Sequence, residues 1–411
     1  MIAKESSISN KDKIILISLF YFMIFQNVLE NYFNIFGILD EAMSAAIVII
    51  AIINILSSRK KYVICKNNKK ILVSVLALII IGIIGNLKTD YQTMIPALKD
   101  AVCVLKGIIT YVFIPLCLSN LNLDEYLTTM NNHLKFITGL VFLTVIANLL
   151  FDIFPYYEIR FGIKSQQIFF THPTYLASFS VIIIILLSVN LREHEENKKY
   201  IILMLLVLAS TLRFKSIAFI PIYMYLYYIV FKKQRKLQLL DVGILCVLGG
   251  VFAISQVMEY FNNPDWARNV LTMNSLNIAK DNFPIGTGFG TYASWASGES
   301  YSNIYYDYNI STTWGISPDF YEFIADTFWP MIIGQFGVLG LGIYIYILLR
   351  IYKNIINNDN LDYYFGQILA LLYLIILSIA EASFSGPIVV VYMALIAVLG
   401  NKKIGRLRLW K

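Results

Sequence analysis

Apolar runs of roughly twenty residues recur along almost the whole of this 411-residue chain, and they leave few folds open to it. A run of that length satisfies its backbone polar groups within its own helix, which is the solution a bilayer imposes. The runs fall at roughly 14–33, 37–57, 71–88, 95–119, 136–154, 175–191, 200–213, 216–231, 239–258, 329–351, 364–382 and 386–400. They predict an all-α polytopic membrane protein with about twelve transmembrane helices and one long external loop. The runs at 200–213 and 216–231 are short, and are expected to form a hairpin whose tip stays below the membrane surface. The first run follows Lys11 and Lys13 but lacks a small-residue cleavage site, so it is read as a span. Composition agrees, with 58% hydrophobic and only 14% charged residues, which excludes a disordered chain. The organisation that follows is 1–257 for the first nine helices, 258–328 for the loop, and 329–411 for the last three helices and a basic tail.

Charge tests this map. With the N-terminus inside, the inside segments hold 24 of the 33 Lys and Arg residues, including Lys4, Arg59, Lys60, Lys61, Lys402, Lys403, Arg406, Arg408 and Lys411. Positive residues collect on the cytoplasmic side, so both termini are expected there and 258–328 outside. None of the four cysteines (Cys65, Cys103, Cys117, Cys246) falls in that loop, so no disulfide framework is expected. With three histidines and no paired Cys/His spacing, no metal site is expected, and no cofactor.

The loop is where function is expected, because structureless connections of this length are uncommon otherwise. Sixteen of its 71 positions are aromatic, about 23% against 15% for the chain. Rings with an apolar face and a polar tip suit sugars, and Tyr292, Trp295, Tyr305 and Trp314 are the chosen contacts. The plain alternative is an interfacial belt. Eight acids against Arg268 and Lys280 leave the loop at −6, which excludes a nucleic-acid surface. Against that background the remaining outward cations stand out: Arg160, Lys164, Arg213, Lys215, Arg268 and Lys280, with Lys99 and Lys106 in the fourth run. Arginine is the usual partner of phosphate oxygens. Pairing to Glu158, Asp152 or Asp100 is the competing reading.

Local signals are mixed. Asn263 before Pro264 predicts the cap of a surface helix over 264–280, stopped by Asp281, Asn282 and Pro284. Gly286-Thr287-Gly288-Phe289-Gly290 lacks the strand context of a dinucleotide site, so tight turns and close backbone approach are expected. Gly334, Gly337, Gly340 and Gly342 predict close helix packing. His172, before Pro173, serves a cap, a turn or catalysis. Asp326, before the apolar run at 328–333, is either a helix cap or a base.

The ordered set Arg268, then Asp281-Asn282-Phe283-Pro284-Ile285-Gly286-Thr287-Gly288-Phe289-Gly290-Thr291-Tyr292, then Asp326-Thr327-Phe328-Trp329 and Gly334-Gln335-Phe336-Gly337-Val338-Leu339-Gly340 resembles the O-antigen polymerase and O-antigen ligase superfamily. Arg160-Phe161-Gly162, Phe169-Phe170-Thr171-His172-Pro173-Thr174 and Thr211-Leu212-Arg213-Phe214-Lys215-Ser216 agree with it upstream. The resemblance implies an inverting, metal-independent glycosyltransferase of the GT-C type in the bacterial plasma membrane. Its substrate would be a polyprenyl-diphosphate-linked oligosaccharide, its product O-antigen, capsule or exopolysaccharide, and a chain-length regulator protein a partner. Arg160, Arg213 and Arg268 would then hold the donor diphosphate. Asp326 would accept the acceptor's proton, with Glu322 in reserve. Ligases of the superfamily typically carry a histidine near the end of the long loop. Here Asp326 stands there and the loop has no histidine, which favours a polymerase. A ligase, a flippase of lipid-linked sugars and a non-enzymatic assembly protein are the alternatives.

Overall fold

The computed structural model describes residues 10–57, 64–118 and 121–400. Lys4, Arg59, Lys60 and Lys61 and the basic tail 401–411, part of the charge argument, lie outside the described residues. The helices are α1 (Asn10–Ile24), α2 (Gln26–Tyr32), α3 (Leu39–Ser57), α4 (Lys66–Thr89), α5 (Met94–Cys117) and α6 (Leu123–Phe151). A two-residue antiparallel ladder, β1 (Ile159–Arg160) and β2 (Ile163–Lys164), precedes α7 (Pro173–Val189), α8 (Asn197–Ser210), α9 (Phe214–Tyr227) and α10 (Leu239–Phe261). The long loop carries α11 (Ala267–Asp281), α12 (Trp295–Glu299) and α13 (Ile304–Asp307). The chain then re-enters the bundle as α14 (Phe328–Ile356), α15 (Leu361–Ser378) and α16 (Ile388–Leu399).

Each of the twelve apolar runs is helical, and the protein is an all-α, multi-pass membrane protein. Twelve full crossings do not follow. Seven helices among the described residues are long and apolar enough to cross, or up to eight if α1 and α2, bent by 69° to one another, make one span. The reason is that an apolar run can be buried in protein rather than lipid. Helix α7 is apolar all round, and nearly every residue of it is buried; α16, of 12 residues, is largely buried too. At about 1.5 Å per residue α8 reaches only about 21 Å. The tip between α8 and α9 is covered by protein: Gln166 N–H donates to the Ser210 carbonyl (3.0 Å) and Ser165 Oγ to that of Thr211 (2.7 Å).

Lys106 does not pair with Asp100. It lies buried between α3 and α5, ion-paired with Asp40 and with Glu41 (2.5 Å). A buried cation in a membrane bundle needs such partners.

The glycine-rich segment is the main junction between loop and bundle. Asn86 grips Phe289 twice, accepting its N–H (2.8 Å) and donating to its carbonyl (2.9 Å). Thr89 donates to the Thr287 carbonyl, Gln92 to that of Gly290, and Gln335 to that of Tyr292. Asp100 accepts the Gly290 N–H at 2.9 Å. The partner helix breaks to complete the fit. Gly337 leaves the helical conformation (φ 63°, ψ −164°). The Gly334 and Gln335 carbonyls accept from Thr287 and Gly288, and Leu339 N–H donates to the Pro284 carbonyl. Non-helical backbone survives inside a membrane protein only when its polar groups are met in this way. A Cβ at Gly288 (φ +99°) would stand 2.3 Å from the Asn86 nitrogen. Close backbone approach is therefore what these glycines permit. At Gly334 and Gly337 the close neighbour is the loop rather than another helix, a correction to the packing expected there.

Candidate functional site

Charged side chains from four separate segments meet where the loop returns to the bundle. The first is the β1 region. Glu158 lies 2.9 Å from Arg160 Nε and 3.1 Å from Arg213 Nη1, so one carboxylate joins two of the three predicted arginines. Arg213 holds the N-cap position of α9 and lies over the Tyr157 ring, 4.6 Å from its centroid. Arg160 lies over Phe214 at 5.4 Å and donates to the Leu212 carbonyl.

His172 is the second contribution, and it does cap a helix. Its Nδ1 accepts the Thr174 N–H at 3.1 Å, while Nε2 stands 2.7 Å from Arg213 Nη2. Burial, reinforced by the charge of Arg213, pushes its pKa down to about 4, so the ring is neutral at physiological pH. The charges of Lys215 and Arg268 act on it in the same direction, which puts all three cations in one neighbourhood.

The third contribution is Glu381, between α15 and α16. It ion-pairs with Lys215 and accepts from Thr174 Oγ1 at 3.0 Å. In the sequence it is only an acid between two apolar runs, since its partner lies 166 residues away.

The loop supplies the fourth. Arg268, in the first turn of α11, donates to Asp326 at 2.8 Å. Asn263 does not cap that helix; Trp266 holds the N-cap position, and Asn263 instead accepts the Asp265 N–H in a turn before it. Asp326 is likewise not a cap. Thr327 occupies the N-cap position of α14, and the Asp326 carboxylate turns to Arg268. Burial raises the pKa of Asp326, with Arg268 opposing and the charge of Glu381 adding to the rise. Glu381 is moved the other way: burial pushes it up, but Lys215 pulls it below its usual value. Two carboxylates in one network are thus driven apart, and Asp326 is the more basic in character.

Several predicted contacts fall elsewhere. Glu322 is exposed and takes no part in the network. Tyr292 and Tyr305 are both 0% exposed and stack on each other at 5.8 Å. The Tyr292 hydroxyl donates to the Leu271 carbonyl, and the Tyr305 hydroxyl accepts from Ala293 N–H. They form the loop's core and are not sugar contacts; an aromatic-rich loop needs a core of its own, and composition does not separate its inner rings from its outer ones. Trp295 (57% exposed) and Trp314 (70%) do face out. Trp295 meets Tyr321, and Trp314 packs on Phe320 and Phe323, three residues before Asp326. Lys164 pairs with Asp152, and Arg160 and Arg213 with Glu158, as the competing reading of these cations required, whereas Lys99 pairs with Glu299, an acid outside that reading. Among the described residues no group of three His, Cys, Asp or Glu side chains is placed to hold a metal ion.

The network therefore holds Arg160, Arg213, Lys215 and Arg268 against Glu158, Asp326 and Glu381, one positive charge in excess with His172 neutral. Such a site can bind a compact anion and offer it a carboxylate neighbour. No family model matches this sequence, and no curated protein matches it.

Proposed function

We propose that this protein is a polysaccharide polymerase that joins polyprenyl-diphosphate-linked oligosaccharide units on the outer face of a bacterial plasma membrane, with both termini cytoplasmic. The observation that carries the reading is the network itself. Cations distant in sequence gather beside one carboxylate of raised pKa, at the junction of an aromatic loop and a membrane bundle. Arginines neutralise the charge that develops on a departing diphosphate. The acceptor hydroxyl oxygen bonds to the anomeric carbon from the face opposite the leaving group, while the bond from that carbon to the phosphate oxygen breaks. The hydroxyl proton passes to Asp326, and polyprenyl diphosphate leaves. A positioned general base of this kind contributes about 10²–10⁴-fold. Trp295 and Trp314 offer outward faces for the growing glycan, and a chain-length regulator would act on that product.

A ligase is the second reading, favoured by one observation: His172 brings an imidazole to Arg213 although the loop contains no histidine. Purified protein in liposomes with lipid-linked repeat units separates the readings. A ladder of repeats supports polymerisation. A single transfer to a different carrier means ligase, and translocation without chain growth means flippase. The orientation is checked separately by cysteine labelling at Thr312, an exposed loop position, with an impermeant reagent; labelling only after membrane lysis reverses it.

A further inference from the structure

Each cation of the network is held by a carboxylate: Arg268 by Asp326, Lys215 by Glu381, and Arg213 and Arg160 by the shared Glu158. The centre is imperfectly paired: Glu158 Oε1 accepts no hydrogen bond although Arg160 and Arg213 lie beside it. Arg213 Nε is buried with no hydrogen-bond acceptor. His172 uses Nδ1 to accept from Thr174, so the neutral ring carries its proton on Nε2, where it faces the Arg213 Nη2 donor at 2.7 Å. Two donors at that separation repel, and an acceptor that draws one of them away relieves the contact. Phosphoryl oxygens are such acceptors, and a diphosphate carries several.

We infer that the three carboxylates are place-holders for donor phosphoryl oxygens, and that diphosphate binding exchanges carboxylate for phosphate on Arg268, Lys215 and Arg213. This rests on the diphosphate reading above. The exchange has a chemical result. Arg268 is what holds Asp326 in an ion pair; once it turns to phosphate, Asp326 is released to take the acceptor's proton. The base is thereby armed only when the donor is present. Lys215 becomes a fourth cation of the site, and Glu381 its positioning residue.

The test is binding of farnesyl diphosphate to the detergent-purified full chain. Neutralising a place-holder removes a competitor for the cation, so Asp326→Asn, Glu381→Gln and Glu158→Gln are each expected to bind about fivefold tighter or more than wild type. Arg213→Ala is expected to bind at least about tenfold weaker. Wild-type binding is expected to tighten as pH falls through the titration of Asp326, and Asp326→Asn to lose that dependence. Binding by the wild type together with unchanged or weaker binding by the folded amide variants overturns the exchange and leaves the diphosphate site standing. Binding that Arg213→Ala and Arg268→Ala do not weaken, or no binding by the wild type, overturns the diphosphate site and the exchange with it. Asp326 is partly exposed, so its amide variant remains a folded test where the more enclosed Glu381 variant fails.

Discussion

The glycine-rich insertion and the charged network both join the long loop to the bundle, yet they are held in opposite ways. At 286–292 the contacts are mostly neutral, formed with backbone atoms, and leave no room for a side-chain carbon. In the network the contacts are between long charged side chains, partly exposed, and a donor, Arg213 Nε, and an acceptor, Glu158 Oε1, both go without a hydrogen bond. Backbone contacts of that tightness cannot be traded for others, because both polar groups and sterics must be satisfied at once. Ion pairs between flexible side chains can be traded when an incoming charge replaces the one that leaves. The insertion therefore fixes where the loop sits, and the network is left free to respond to a ligand.

The sharpest way to break this contrast is at Gly288. Gly288→Ala puts a Cβ against Asn86 at a φ of +99°, and loss of the folded protein is expected, with a penalty above about 3 kcal/mol. Fluorescence-detected size exclusion reads it; a normal monodisperse peak would mean that the insertion is not rigid. Next is Asp326→Asn, expected to fold normally and lose about 10²–10⁴-fold in polymerising activity, about 3–5 kcal/mol in the barrier. Near-normal polymer from a well-folded variant would remove Asp326 as the base. Asn86→Ala removes both grips on Phe289 and is expected to cost about 2–3 kcal/mol, seen as a lowered Tm with activity retained in the folded fraction.

The last effect, absent at neutral pH and reached only in acid, is a pH dependence of stability set by His172. Its pKa is near 4 in the fold and about 6.5 in a free chain, so the unfolded state binds the proton first as pH falls. Stability is therefore full above about pH 6.5 and declines between about 6.5 and 4, by up to about 3 kcal/mol. His172→Asn keeps a capping side chain and is expected to flatten that part of the pH–Tm profile. An unchanged profile would place the titration elsewhere.

The sequence made much of this fold legible because membrane helices announce themselves by length and apolarity. All twelve runs are helical, yet runs such as α7 and α16 do not say whether lipid or protein covers them. In the network, Arg213 and Arg268 were conspicuous because outward cations are scarce. Glu381 was not, since a lone acid between two apolar runs carries no sign of a partner 166 residues upstream. The break at Gly337 was hidden for a related reason. A glycine in a helix reads as a packing surface, and only the incoming carbonyl of Pro284 shows why the backbone leaves its course. Tyr292 and Tyr305 misled because ring content marks an aromatic loop without marking its interior.

The grip of Asn86 and Asp100 on the insertion also has a consequence in time. Their partners, Phe289 and Gly290, are synthesised 203 and 190 residues later. At about 5–20 residues per second, the two side chains wait about 10–40 s after synthesis for the groups they will bind. Throughout that interval a carboxylate and an amide stand on α4 and α5 with no loop to meet them. The early half of the bundle must then be held open, or kept wet, at that end. A nascent chain arrested before the insertion has emerged is expected to expose Asn86 and Asp100 to solvent, and to be the form on which membrane quality control acts.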